Sequence, residues 1–278
     1  MNIIVCIKQV PDTQNIKIDS QTNTLIREGV QSIINPFDMH AIEEGLRLKE
    51  KNGGQVTVIS MGPLQVEEAL REALSMGVDE AYLVSDRALA GSDTLVTSLV
   101  LARVIQHTGN YDIIICGKQS IDGDTAQVGP GIAAHLGLPQ VMFVKKITIT
   151  SRAQEHKGTR AQGHQSTSML ARVERMTEEG YEILDTPLPV VISVVKEINK
   201  PRLPSLKGKL RAKSATIKKW TLKDLNLKED EVGLKGSPTQ VIKMFTPPLR
   251  KGGQILTGAL SETVPKIAEE IKKIITGV

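Results

Sequence analysis

Residues 116–131, CGKQSIDGDTAQVGPG, hold the densest set of groups able to bind a ligand in this chain. The segment leaves an apolar run, passes through small and polar residues, and enters a helix near Thr125. A strand–loop–helix junction of this kind aims several backbone N–H groups, and the positive end of a helix dipole, at one point. That suits phosphate. Gly123 lets the backbone approach an anion closely, and Ser120, Thr125 and Gln127 add side-chain hydrogen bonds to phosphate oxygens. Asp122 and Asp124 oppose phosphate unless one caps the helix or accepts from ribose hydroxyls. As a pair they also allow magnesium, although two carboxylates without further ligands make a poor site. An ordinary capped βα loop is the alternative these residues leave open.

Competing motifs fail. The chain has no G-x-x-x-x-G-K-[ST], no G-x-S-x-G elbow and no H-E-x-x-H. Gly129-Pro130-Gly131 with Ala134 formally fits a degenerate dinucleotide fingerprint, but it falls where the helix has already begun. His156 and His164 share a polar stretch that reads as a solvated loop rather than a metal site. What remains is a nucleotide site with no obvious nucleophile, general base or metal, a pattern that leaves the chemistry to a cofactor.

The elements around the loop follow from hydrophobic periodicity. Short apolar runs at 2–7, 55–60, 81–84, 112–116 and 140–149 are bounded by turn residues, as buried parallel strands are. Helices are predicted over 63–76, with Pro63 first and Gly77 after, and over 94–107, with Asp93 as N-cap. A less clean helix covers 38–51, opening at Asp38. This alternation predicts an α/β fold with a doubly wound, mainly parallel sheet of flavodoxin-like or Rossmann-like type. Its strand-to-helix loops gather along one edge, where ligands of such folds bind. Residues 151–168 read as a polar loop, 169–186 as a hairpin, and 261–275 as a terminal helix. The predicted division is a nucleotide-binding domain over 1–198 and a C-terminal arm over 199–278.

Composition narrows the class. The chain has 278 residues, 40% of them hydrophobic and 24% charged, with no apolar run long enough to cross a bilayer. The start, MNIIVCIKQVPD, lacks the basic lead and small-residue cleavage site of a signal peptide, so a cytoplasmic protein is expected. Cys6 and Cys116 lie in strand-like runs and read as two free, buried thiols. The net charge of +4 is local: residues 200–219 carry eight Lys/Arg and no acid, and without them 27 basic residues face 31 acidic ones. That basic stretch has no aromatic residue to stack on bases, which argues against nucleic-acid binding.

Taken in order, several motifs resemble the electron transfer flavoprotein β-subunit family over nearly the whole length. They are V-C-I-K-Q-V-P-D at Val5–Asp12, N-P-F-D at Asn35–Asp38, S-M-G-P at Ser60–Pro63, and the run from Gly117 to Pro130. The family's signature region continues from Val173 through Arg175, Glu178, Gly180 and Glu182 to Pro189–Ser193, departing at Glu179 where Gly or Asp is usual. The resemblance implies a heterodimer with the α subunit and a nucleotide in this chain, either AMP or a second FAD. By position, Cys6, Asn35 and Met61, with Asp38 of the same N-P-F-D motif, would line the adenine and ribose end. Gly123, Asp124, Thr125, Gln127 and Val128 would hold phosphate, with Asp122 a weaker candidate.

It also gives the basic segment a use. A leucine anchor, here Leu206, would dock on an acyl-CoA dehydrogenase-like or other flavin dehydrogenase, helped by Lys207, Lys209 and Arg211. An apolar anchor ringed by charge suits a brief, steered encounter. Two further features resemble the electron-bifurcating branch: Gly91-Ser92-Asp93-Thr94 with Thr97, and Ser237-Pro238-Thr239-Gln240-Val241 followed by Phe245-Thr246-Pro247. Asp93, Thr94 and Thr97 would face the ring and ribityl part of FAD, although Asp93 also reads simply as a helix cap. That branch takes hydride from NADH and splits the electrons between a high-potential and a low-potential route, with ferredoxin as the low-potential acceptor. The remaining alternatives are a non-bifurcating carrier holding AMP and a non-redox adenine-nucleotide scaffold.

Overall fold

Runs of Ile and Val that are apolar at every position belong in the middle of a sheet covered on both faces, and that is where these lie. The computed structural model describes residues 1–12, 17–18, 25–26, 31–153, 167–240, 253 and 255–276. Its first half runs β1 (Asn2–Cys6), β2 (Gln9–Pro11), β3 (Lys17–Ile18), β4 (Leu25–Ile26), β5 (Ser32–Ile34), α1 (Pro36–Asn52), β6 (Gln55–Met61), α2 (Glu67–Met76), β7 (Glu80–Val84), α3 (Thr94–Thr108) and β8 (Ile113–Gly117). Then follow α4 (Val128–Leu136), β9 (Gln140–Ala153), β10 (Thr167–Met176), β11 (Tyr181–Pro187), β12 (Val190–Val194), α5 (Leu206–Ser214), β13 (Lys218–Trp220), α6 (Gly233–Gly236) and α7 (Leu260–Thr276).

Nine strands form one sheet in the order β11-β10-β9-β12-β8-β1-β6-β7-β13. Pairing is parallel from β9 through β13 and antiparallel only for β10 with its neighbours. The predicted α/β, doubly wound class is the observed one. Alternate residues feed opposite faces. Ile3, Val5, Val58, Ile113 and Ile115 meet Ile42 and Leu46 of α1 and Leu70 and Ala73 of α2. Ile4, Cys6, Ile59, Ile114 and Cys116 meet Val96, Val100 and Val104 of α3 and Ile132 of α4. Each such aliphatic side chain, fully buried, contributes about 1.5–3 kcal/mol.

Helix boundaries differ from expectation for identifiable reasons. Helix α1 begins at Pro36, two residues earlier than expected, so Asp38 sits within its first turn rather than opening it. A short 3-10 turn over Leu64–Val66 precedes α2. Helix α4 starts at Val128, three residues later than expected, because Asp124 (φ 54°) and Ala126 (φ 55°) are left-handed and cannot propagate a helix. The polar stretch is shorter than expected: β9 reaches Ala153 and β10 starts at Thr167, while His156 and His164 lie outside the described residues. Two compact units emerge, Met1–Gln240 and Val241–Val278. The first therefore extends past residue 198 and takes in α5, which packs on α2, and β13, which pairs with β7. No helix among the described residues is long and apolar enough to cross a membrane.

Candidate functional site

Strand order reverses between β1 and β8: from β1 the chain moves outward to β6 and β7, then returns to β8 on the other side. In doubly wound sheets a crevice opens at such a switch point, outside the carboxyl ends of the strands. Cys6 and Cys116 are register partners there, both buried. A hydrogen bond donated by the Cys116 thiol to Cys6, together with burial, pushes that thiol well above its ordinary range, so it stays protonated.

The loops that leave these strands are pinned by the start of α1. Asn35, 1% exposed, donates from Nδ2 to the Gln119 carbonyl (2.9 Å) and accepts on Oδ1 from the Ile121 N–H (3.1 Å). Asp38 accepts on Oδ2 from the Lys8 N–H (2.7 Å) and on Oδ1 from the Gly117 N–H (3.2 Å). Burial raises its carboxyl to about 7, against the pull of those bonds and of Asn35. A Cβ on Gly117 would lie 2.3 Å from Asp38 Oδ1, so only glycine admits the carboxylate. Asn35 and Asp38 thus spend their polar atoms on the protein and shape the crevice from behind.

Of the loop's two acids, one is paired with a cation and the other is held by a neutral amide. Lys8 Nζ reaches both oxygens of Asp122, at 2.7 and 2.8 Å, across the switch point. Burial raises the Asp122 carboxyl, but hydrogen bonds from Lys8 and Ser120 outweigh it and hold the group below its ordinary value. Asp124 accepts from the Gln119 amide. The two acids are engaged separately, and no cluster of three His, Cys, Asp or Glu able to hold a metal occurs among the described residues.

Left-handed Ala126 is followed by right-handed Gln127 (φ −95°, ψ −20°), a pairing that turns successive N–H groups into one concavity, a nest for anions. Among the described residues, the N–H groups of Gly123, Thr125, Ala126, Gln127, Val128 and Gly129 have no acceptor. Left-handed non-glycine residues cost on the order of 1–3 kcal/mol each. The concavity lies at the open N-terminus of α4, whose dipole adds to it. The left-handed positions of the loop are Asp124 and Ala126, while Gly123 has no positive φ. Thr125 and Gln127 are exposed beside the nest, with Val128 opening the helix.

On the neighbouring strands, Met61 ends β6 and packs on the apolar layer under α3 and α4. Thr94 opens α3 and donates from Oγ1 to Gln127 Oε1 (2.8 Å), joining the two helix starts. Where Gly131 faces Ser98, a Cβ would fall 2.4 Å from the Ser98 hydroxyl, so α3 and α4 pack closer than any other residue allows. Thr97 stands one turn past Thr94 on the same face, half-buried, its hydroxyl unpartnered among the described residues. Asp93 caps α3 as expected, with Oδ1 accepting from the Val96 N–H (3.0 Å). Val241 and Phe245–Pro247, grouped with it from the sequence, lie outside the described residues.

Comparison with known proteins agrees with this geometry. The electron transfer flavoprotein domain matches residues 22–225. A protein of Thermoanaerobacterium thermosaccharolyticum called electron transfer flavoprotein subunit beta is 50% identical, aligned over 98% of each chain. The chain belongs to the electron transfer flavoprotein β-subunit family. It is also 43% identical to the caffeyl-CoA reductase-Etf complex subunit CarD of Acetobacterium woodii, over 98% of each chain. The protein FixA of Azorhizobium caulinodans is 43% identical over 98% of this chain and 95% of the relative.

The middle of the basic segment, Leu206–Ser214, is the helix α5. Leu206, 76% exposed, opens α5, with Leu203 and Leu210 also exposed and Lys207 and Lys209 beside them. Arg211 does not join them: its guanidinium donates to the Leu74 and Val78 carbonyls at the end of α2, both at 2.8 Å. Arg71 of α2 answers by donating to the Ala212 and Ala215 carbonyls (2.8 and 3.2 Å), so each helix closes the other's C-terminus. A Cβ on Gly208 would lie 2.1 Å from the Ser75 carbonyl oxygen, so glycine permits that contact. Arg202, bound to Glu43 (2.8 Å) and Glu50, straps the preceding segment to α1. The sequence carried no spacing signal for these long-range arginine contacts, whereas Lys8 stands in the V-C-I-K-Q-V-P-D motif.

Proposed function

We propose that this β subunit pairs with an electron transfer flavoprotein α subunit, holds FAD in the switch-point crevice, and passes electrons from NADH by bifurcation. The receivers would be a flavin dehydrogenase or reductase of the acyl-CoA dehydrogenase type and a low-potential acceptor such as ferredoxin. The carrying observation is the nest at Ala126–Val128, whose unaccepted N–H groups converge where the α4 dipole is most positive. Gly123, Thr125, Gln127 and Val128 would hold the pyrophosphate, and Cys6, Asn35, Asp38 and Met61 would frame the adenosine end. Lys8 offsets the charge of Asp122, which leaves Asp124 as the loop's one carboxylate without a cationic partner among the described residues. When bound, FAD supplies hydride acceptance and one-electron transfer; the chain supplies position and field.

FAD is favoured over AMP by the Thr94 and Thr97 hydroxyls, which extend the polar wall beyond the nest along α3. A subunit partner is supported by α7, on which Leu260, Val264, Ile267, Ile271 and Ile274 recur at spacings of four and three and are all exposed. A partner acting on CoA thioesters is supported by the name of the Acetobacterium relative, a subunit of a caffeyl-CoA reductase-Etf complex. Docking through Leu206, Lys207 and Lys209 fits an exposed apolar group flanked by exposed charge. The test is the visible spectrum of the chain purified with its α subunit: flavin absorbance that bleaches on adding NADH is expected. Absorbance unmoved by NADH overturns the bifurcating assignment, and a colourless pair overturns the whole.

A further inference from the structure

Asp93 has every side-chain acceptor committed within the protein. Oδ1 caps α3, and Oδ2 accepts from both the N–H (3.1 Å) and the hydroxyl (2.7 Å) of Thr239. Its own N–H donates to Ser237 Oγ (2.9 Å), and that hydroxyl donates to the Gly233 carbonyl (2.6 Å). The Leu234 side chain lies against Gly91, whose φ is 78°, and Gly233, with φ 61°, packs on the Ala88 carbonyl; a Cβ at either glycine would collide. Residues 233–239 therefore form a hook closed over the turn before α3. The hook ends one residue before Gln240, the last residue of the first compact unit. On its other side Asp93 sets the first turn of α3, and with it the Thr94 hydroxyl that holds Gln127 at the edge of the nest.

We propose that Asp93 is a positioning residue that links nucleotide occupancy of the nest to closure of the Ser237–Thr239 hook, without contacting the nucleotide. This rests on the nucleotide site proposed above. A ligand in the nest orders Gln127; Gln127 holds Thr94; Thr94 and its cap Asp93 move as one helical turn; and Asp93 holds Thr239. Linkage is reciprocal, so a hook that opens must weaken nucleotide binding by the factor by which nucleotide tightens the hook.

The test uses the full chain, titrated separately with AMP and FAD by calorimetry, with hydrogen exchange followed at the Thr239 amide. Nucleotide should slow exchange at that amide by about fivefold or more, and Thr239→Val should weaken binding by a similar factor with little change in melting temperature. Thr239→Ser, which restores the hydroxyl, should recover parent affinity. Equal affinity for Thr239→Val and parent, with Thr239 exchange unmoved by nucleotide, overturns the linkage while leaving the nucleotide site standing. Failure of the parent chain to bind either nucleotide overturns the site itself, and the linkage with it.

Discussion

Replacing Asn35 with Ala isolates the work of one side chain at the switch point. The substitution removes a donor to the Gln119 carbonyl and an acceptor for the Ile121 N–H, both partners standing in the half-buried base of the nucleotide loop. Each backbone group left without a partner costs about 1–3 kcal/mol, so the two together cost about 2–6 kcal/mol. Water reaches part of that base, which puts the expectation near 3 kcal/mol. For a unit of this size that lowers the melting temperature by roughly 6–12 °C. Urea unfolding of the full chain measures the free energy, and hydrogen exchange at the Ile121 amide shows whether the loss is local. Nucleotide affinity should fall along with stability, because the nest is built on that base. A loss under about 1 kcal/mol, with Ile121 exchange and nucleotide affinity unchanged, would refute the assignment of Asn35 as the pin.

Asp38 gives a pH dependence of defined sign. Its carboxyl is raised from 3.8 to about 7 in the folded chain, so the folded state binds the proton more tightly. The resulting stabilisation is fully present below the unfolded value and is lost as pH rises through about 7. Carbon NMR of the carboxyl should show that titration, and Asp38→Asn should flatten stability between pH 4 and 8. Arg211→Ala, which strips two carbonyls at the end of α2, should cost about 1–3 kcal/mol in thermal unfolding. An unchanged melting temperature would return Arg211 to the docking group. Leu206→Ala, at an exposed position, should leave stability and flavin content intact and slow electron delivery to the partner dehydrogenase in stopped-flow mixing. Parent rates in that assay would make α5 a structural helix alone.

The central strands and helices were legible because burial on both faces leaves an unbroken Ile/Val run, and an amphipathic helix leaves a stripe. Strand β8 and helix α3 fell within a residue or two of expectation for that reason. The start of α4 was misplaced because Asp124 and Ala126 carry positive φ without being glycine, and residue type gives no warning of that. Asp122 looked like a liability because its neutralising partner, Lys8, is more than a hundred positions away in sequence. The inward turn of Arg211 was equally hidden: a run of basic residues reads as one charged surface until the fold sets one of them against a helix end.

Nucleotide stoichiometry tests the central claim most directly. Acid release from the purified αβ pair, followed by chromatography, counts what the two chains hold. The account predicts two FAD per pair and no AMP, the second FAD seated on the nest of this chain. One FAD with one AMP would contradict the bifurcating assignment while keeping the site, and a single FAD with no second adenine nucleotide would contradict the claim that the switch-point crevice holds a cofactor.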